Sequence, residues 1–210
     1  MEIYIVRHGE TVWNEKRLLQ GSEDIELNEK GRELAGLTGE KLQNVEFDRI
    51  YSSPLIRAYE TANLIRGHRN IQIIRDDRLR ELSFGINEGK DSMKIREDKN
   101  NPFHNFFSKP ELYIAPEGGE SLEHICERAK EFMRQVIEPH IKEWKRVMIV
   151  AHGALNKALM CYIMNHGISE YWSGGLQTNC SVSIVRLDAE GYNVIAVSYT
   201  HLRAHETRRH

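Results

Sequence analysis

Glu2-Ile3-Tyr4-Ile5-Val6-Arg7-His8-Gly9 carries four consecutive apolar residues, Ile3 to Val6, and ends on two bases and a glycine. An apolar run that does not alternate suits a strand covered on both faces, as in a parallel sheet flanked by helices. The design recurs at Val147-Met148-Ile149-Val150-Ala151-His152-Gly153. Besides residues 2–6 and 147–151, strands are read over 48–52, 182–187 and 193–199. Ligands of open α/β sheets gather beyond the carboxyl ends of the strands. His8 and His152 are therefore expected at one sheet edge, where the glycine after each lets the backbone turn sharply.

Helical patterns fill the intervals. Ser53 reads as an N-cap with Pro54 in the first helical position. Leu55, Ala58, Tyr59, Ala62 and Ile65 then form the apolar stripe. The longest helix is expected from Ser121, with Leu122, Ile125, Cys126, Ala129, Phe132, Met133, Val136 and Ile137 at core-facing spacing. Others follow Asn28 and Gly153. This order predicts an α/β fold, a three-layer sandwich with a mostly parallel central sheet flanked by helices. Residues 86–118 break the rhythm with Asn100-Asn101-Pro102, Lys109-Pro110 and Pro116-Glu117-Gly118-Gly119. They read as an insertion of short helices lying over one sheet edge and the active site.

The chain has 210 residues, enough for one domain with its own core, placed at residues 1–199. The composition changes abruptly at Thr200, and residues 200–210 are expected to be a disordered or non-native tail. With 29 basic and 31 acidic residues the formal charge is −2, which argues against a nucleic-acid partner. No apolar stretch is long enough for a membrane span, and the start lacks the pattern of a signal peptide. Three scattered cysteines, Cys126, Cys161 and Cys180, read as buried thiols in a reducing cytoplasm. The oligomeric state is left open, a dimer included.

The chemistry concentrates on Arg7, His8, Arg57 and His152. Arg57 falls in the first turn of the helix after Pro54, whose free N–H groups favour an anion. Two arginines, two histidines and a helix N-terminus make a pocket for a dianion, because the guanidinium fork grips phosphate oxygens bidentately.

Arg7-His8-Gly9-Glu10-Thr11, Ser52-Ser53-Pro54-Leu55-x-Arg57-Ala58-x-x-Thr61-Ala62 and Ala151-His152-Gly153 together resemble the histidine phosphatase superfamily, in its phosphoglycerate-mutase-like branch. Lesser similarities are Arg17-x-x-Gln20-Gly21, Glu81-x-x-Phe84-Gly85-x-x-Glu88-Gly89, Glu120-Ser121 and Asn179-Cys180-Ser181. The resemblance implies that His8 is the nucleophile and becomes phosphohistidine. It implies that Arg7, Arg57 and His152 bind the phosphoryl group, with Asn14, Gln20 and Gly21 lining the entrance. Glu81 is implied as general acid and base, and no metal or other cofactor takes part. The physics is consistent. Nearby guanidinium groups keep His8 neutral and nucleophilic, and a covalent intermediate divides one hard step into two easier ones. A bound dianion favours the protonated Glu81 that donation requires. Read without the resemblance, Glu81 is a helix-cap or salt-bridge residue near Arg78 and Arg80, and Glu10 takes a structural role.

The implied activity is that of a histidine acid-type phosphatase acting on a small phosphomonoester. The alternatives are a cofactor-dependent phosphoglycerate mutase and a catalytically silent phospho-ligand binder. Against the mutase, Glu81 is followed by Leu82-Ser83-Phe84-Gly85, where that branch carries Glu-Arg-x-Tyr-Gly, and the insertion has no adjacent arginine pair. Against the silent binder stands the complete set of five residues. Asn87, where many relatives carry tryptophan, is expected to alter the floor under the substrate. Ala154, where many carry glycine, simply begins a helix. Specificity is assigned to the insertion. Lys94, Arg96, Lys99 and Lys109 read a second anion or form a solvated face. Phe103, Phe106, Phe107 and Tyr113 stack on a ring or form a small core.

Overall fold

The computed structural model describes residues 1–199, so the tail read at 200–210 lies outside the described residues. In chain order the elements are β1 (Glu2–Arg7), α1 (Val12–Glu15), α2 (Glu29–Lys41), β2 (Arg49–Ser52), α3 (Ile56–Arg66), β3 (Ile73–Arg75), α4 (Ser92–Glu97), α5 (Asn105–Ser108), α6 (Leu122–Phe132), β4 (Arg146–Ala151), α7 (Gly153–Met164), β5 (Val182–Asp188) and β6 (Gly191–Tyr199). The strands form one sheet in the order β3-β2-β4-β1-β5-β6. β1, β2, β3 and β4 pair in parallel, while β5 runs antiparallel to both β1 and β6.

The consecutive apolar residues of β1 and β4 are explained by a layer on each face. Ile3, Ile5, Val147 and Ile149 pack with Ile125 and Phe132 of α6 and Leu155 and Leu159 of α7. Tyr4, Val6, Met148 and Val150 point the other way, onto Ala58, Ala62 and Ile65 of α3 and Leu42 at the end of α2. Two starts match the expected caps. Asn28 accepts the Gly31 N–H at 2.8 Å to begin α2, and Ser121 accepts the His124 N–H at 3.2 Å to begin α6. No helix among the described residues is long and apolar enough to cross a membrane.

Several elements differ from the expectation: α1 is a short additional helix, and α6 gives way after Phe132 to a π-helical turn over Met133–Ile137, which leaves α2 the longer α-helix. β3 is an additional three-residue strand at the sheet edge. α3 begins at Ile56 with Leu55 as N-cap, so Ser53 and Pro54 precede the helix. The Ser53 hydroxyl is engaged elsewhere, as described below.

Residues 86–118 do fold as short helices. A tight 3-10 turn at Pro102–His104 lies between α4 and α5, and a second, Pro110–Leu112, follows α5. The insertion's aromatics are mainly core. Phe103 and Phe106 stack with centroids 4.7 Å apart, Phe84 and Tyr113 set their edges against both, and the cluster is continuous with the α6–α7 layer.

Candidate active site

β1 and β4 are neighbours in parallel register, with Arg7 opposite Ala151. His8 and His152 therefore leave the sheet side by side, and the His8 N–H extends the ladder to the Ala151 carbonyl at 2.9 Å. Their ring centroids lie 5.1 Å apart. Both rings are buried, and burial followed by the charge of Arg57 depresses both pKa values well below the usual imidazole range. Each is neutral at pH 7.

The tautomer of His8 follows from its neighbour. Nδ1 lies 2.6 Å from the Gly9 carbonyl oxygen, which can only accept, so Nδ1 carries the proton. Nε2 is left with its lone pair, the form a nucleophile needs. The backbone of His8 is fixed as well, since Asn179 donates to its carbonyl at 3.0 Å.

Arg57 is fully buried. Its Nη1 and Nη2 donate to the carbonyls of Glu23 at 2.6 Å and Gly21 at 2.8 Å. Burial lowers its pKa to about 10, so it remains charged at neutral pH. Arg7 donates through Nη1 to the Gln177 carbonyl, and the negative charge of Glu81 partly offsets the burial that lowers its pKa. Gly21 sits at φ +55°, and a Cβ there would lie 2.0 Å from Glu88 Oε1. Only glycine lets this turn offer its carbonyl to Arg57 while Glu88 holds the Ser22 and Phe84 amides.

The helix N-terminus expected to meet the anion is already occupied. Asp24 Oδ1 accepts the Ile56 N–H at 2.6 Å, so a carboxylate of the chain itself caps α3. The arginine side chain, rather than the helix end, faces the histidines.

Glu81 is not paired with its sequence neighbours. Arg78 pairs with Asp76 at 2.6 Å and Arg80 with Asp77 at 2.8 Å. The Glu81 carboxylate instead reaches the first turn of α7. Oε1 accepts the N–H groups of Leu82 at 2.9 Å and Leu155 at 3.0 Å, and Oε2 accepts that of Ala154 at 3.2 Å. It thus supplies a cap that His152, the N-cap residue, does not provide through its own side chain.

Three buried nitrogens in this cluster have no hydrogen-bond partner: Arg7 Nε, Arg57 Nε and His152 Nδ1. Buried polar groups are almost always satisfied. Several orphans surrounding one neutral imidazole are the mark of a site shaped for an anion.

The profile of the histidine phosphatase superfamily (branch 1) matches residues 3–200. The chain belongs to that superfamily. It is 33% identical over 196 residues to phosphoserine phosphatase 1 of Hydrogenobacter thermophilus, covering 93% of this chain and 90% of that protein. It is 34% identical over 163 residues to the 2,3-bisphosphoglycerate-dependent phosphoglycerate mutase of Cytophaga hutchinsonii, covering 77% and 76%. Bacillus stearothermophilus YhfR superposes with a TM-score of 0.86 at 38% identity, over 94% of this chain and 96% of that one.

In this superfamily member the cluster opens into a cleft of about 250 Å³ lined by Arg7, His8, Arg57 and Glu81, while the fully buried His152 is not among the lining residues. Asn14, Gln20 and Gly21 are among its lining residues. Thr11 donates to Gln20 Oε1 at 3.0 Å, and its backbone N–H to Asn14 Oδ1 at 3.2 Å. Both amide oxygens are thereby used. Glu10 holds Asn28 and Lys30, a structural role as read.

The outer wall departs from the expectation. Lys94, Arg96, Lys99 and Lys109 are not among the lining residues; Arg17, Phe107, Trp172 and Leu176 are. Arg96 lies over the Phe107 ring at 5.2 Å. Asn87 is buried and accepts from Lys90 at 3.3 Å, so it packs inside its turn and forms no part of the floor.

Sequence reasoning missed Arg128. Its guanidinium pairs with Glu120 at 2.7 Å and donates to the carbonyls of Arg78, Arg80 and Glu81. It clamps the segment that carries the Glu81 carboxylate. The available signal was a charged residue next to Ala129 on the core-facing side of α6, together with Glu120 in the motif ahead of it.

Proposed function

We propose that this chain hydrolyses a small phosphomonoester through a phosphohistidine formed at His8 Nε2. The observation that carries the reading is a His8 whose Nε2 keeps its lone pair in a cleft it shares with Arg7 and Arg57, each of which, like the neighbouring His152, has a buried nitrogen without a partner. The dianion enters with its oxygens toward these groups, which stabilise the charge on the equatorial oxygens during transfer. Nε2 forms a bond to phosphorus as the ester P–O bond breaks, and the departing oxygen takes a proton from Glu81. Of the two carboxylate oxygens, Oε2 has the single, longer amide bond and is the one to carry that proton. Glu81 then accepts a proton from the water that attacks phosphorus and releases His8. The balance is ester dianion plus water giving alcohol plus hydrogen phosphate.

The mutase reading has less support. An isomerase must hold a carboxylate beside the phosphoryl group, and Arg17 is the one cation lining the cleft, among the described residues, beyond Arg7 and Arg57. The hydrophobic wall of Phe107, Trp172 and Leu176 suits a leaving group with apolar surface.

The test is a panel of phosphomonoesters run beside a 2-/3-phosphoglycerate interconversion assay, with acid-labile label trapped during turnover. Hydrolysis with label on His8, and its loss in a folded His8→Ala variant, is the expected result. More than a few per cent of activity remaining in that variant would sink the proposal.

A further inference from the structure

The two histidine rings at the strand ends lie with centroids 5.1 Å apart, and the phosphoryl-transfer reading asks opposite properties of them. His8 must offer a lone pair, and His152, as a phosphoryl ligand, must offer a proton. His8 is set by the Gly9 carbonyl. The partner of His152 is Ser53, whose Oγ lies 2.7 Å from Nε2, with both side chains fully buried.

A hydroxyl and an imidazole nitrogen can share a hydrogen bond in either direction, so the distance alone leaves the tautomer open. The surrounding bonds decide it. Ser53 Oγ already accepts the Leu55 N–H at 3.3 Å. If Ser53 donates to Nε2, its own proton is used, and the orphan on His152 is a donor, Nδ1–H. If Nε2–H donates to Ser53, two groups are stranded instead: the buried serine O–H, and a bare lone pair on Nδ1 that repels any phosphoryl oxygen. One arrangement leaves a single unsatisfied group that an anion satisfies. The other leaves two and opposes the anion.

We infer that Ser53 is a positioning residue: by donating to Nε2 it holds His152 in the Nδ1–H tautomer, turning that ring into a hydrogen-bond donor toward the phosphoryl site. Both histidines then carry the proton on Nδ1, yet they act oppositely because different edges face the anion. The consequence for turnover rests on the phosphoryl-transfer reading, whereas the tautomer is a property of the resting protein. Ser53 stands one residue past the end of β2 and is linked to β4 by its N–H to the Val150 carbonyl at 3.0 Å. The sheet itself therefore delivers the hydroxyl to the ring.

The experiment is long-range 1H–15N NMR on the full chain labelled at histidine nitrogens, at pH 7.5, with His152 assigned by a His152→Gln variant. His152 is expected protonated at Nδ1 in the wild type and shifted toward Nε2–H in Ser53→Ala. That variant should lose about 10–100-fold in kcat/KM for p-nitrophenyl phosphate, and Ser53→Thr, which keeps the hydroxyl, should recover most of the loss. An Nε2–H His152 in the wild type, or a Ser53→Ala protein with the wild-type tautomer and rate, overturns the inference. Should Ser53→Ala fail to fold, the wild-type spectrum decides alone. A wild type with the expected tautomer but no label on His8 during turnover would refute the hydrolase reading and leave the Ser53 assignment standing.

Discussion

Arg57 has two of its nitrogens committed to backbone carbonyls and a third left without a partner. A lysine has the charge but not the fork, so it cannot hold Gly21 and Glu23 while also meeting an anion. Arg57→Lys is expected to lower kcat for an aryl phosphate by about 10²-fold or more; unchanged steady-state kinetics would place the phosphoryl group elsewhere. The histidines make a separate, thermodynamic prediction. Buried His8 and His152 have pKa values below 6.5 in the fold, while an unfolded histidine titrates near 6.5. As pH falls below that value the unfolded chain takes up the protons first. Stability then declines by about 1.4 kcal/mol per pH unit for each histidine until its folded pKa is reached. Urea unfolding between pH 7 and 5.5 should show a shallower decline for His152→Gln than for the wild type. Parallel slopes would mean the ring is not held neutral. At this scale the sequence was informative because His8, Arg7, Arg57 and His152 each lie in a local motif. What it could not show was direction: that Asp24 takes the α3 amides, or that Asn87 turns inward.

Among the elements, α7 carries two duties at one end. Its N-cap is His152, and its first amides hold Glu81 from a segment some seventy residues earlier. That segment is clamped to α6 by Arg128. Arg128→Ala should therefore mimic Glu81→Gln in pattern. Both are expected to lose about tenfold or more with alkyl phosphates, which need a proton on departure, and less with p-nitrophenyl phosphate, which does not. Equal losses on both substrates would show that Arg128 supports the fold alone. None of this was legible beforehand, because a capping bond between distant segments leaves no local pattern. The start of α3 shows the converse. Ser53-Pro54 has the chemistry of a helix start, but the buried hydroxyl bonds His152 and the helix begins two residues beyond Pro54.

For the molecule as a whole, the consecutive apolar residues of β1 and β4 were enough to announce a doubly covered sheet, and both faces are indeed packed. The parallel register that brings His8 beside His152 follows from that arrangement. β3 escaped notice because three residues carry little periodicity, and the aromatic run in the insertion could not be divided in advance between core and cleft wall. The partnerless nitrogens of Arg7, Arg57 and His152 have a further meaning for the folded state. A fold that buries donors with nothing to receive them is incomplete until a small anion arrives, and free orthophosphate, the expected product, has the right shape and charge. By mass action it should raise the melting temperature. The stabilisation reaches about 2.7 kcal/mol at a hundredfold excess over its dissociation constant. His152→Gln and Arg57→Lys should blunt the rise. An enzyme built this way would be held together partly by what it releases, and would work more slowly as that accumulates.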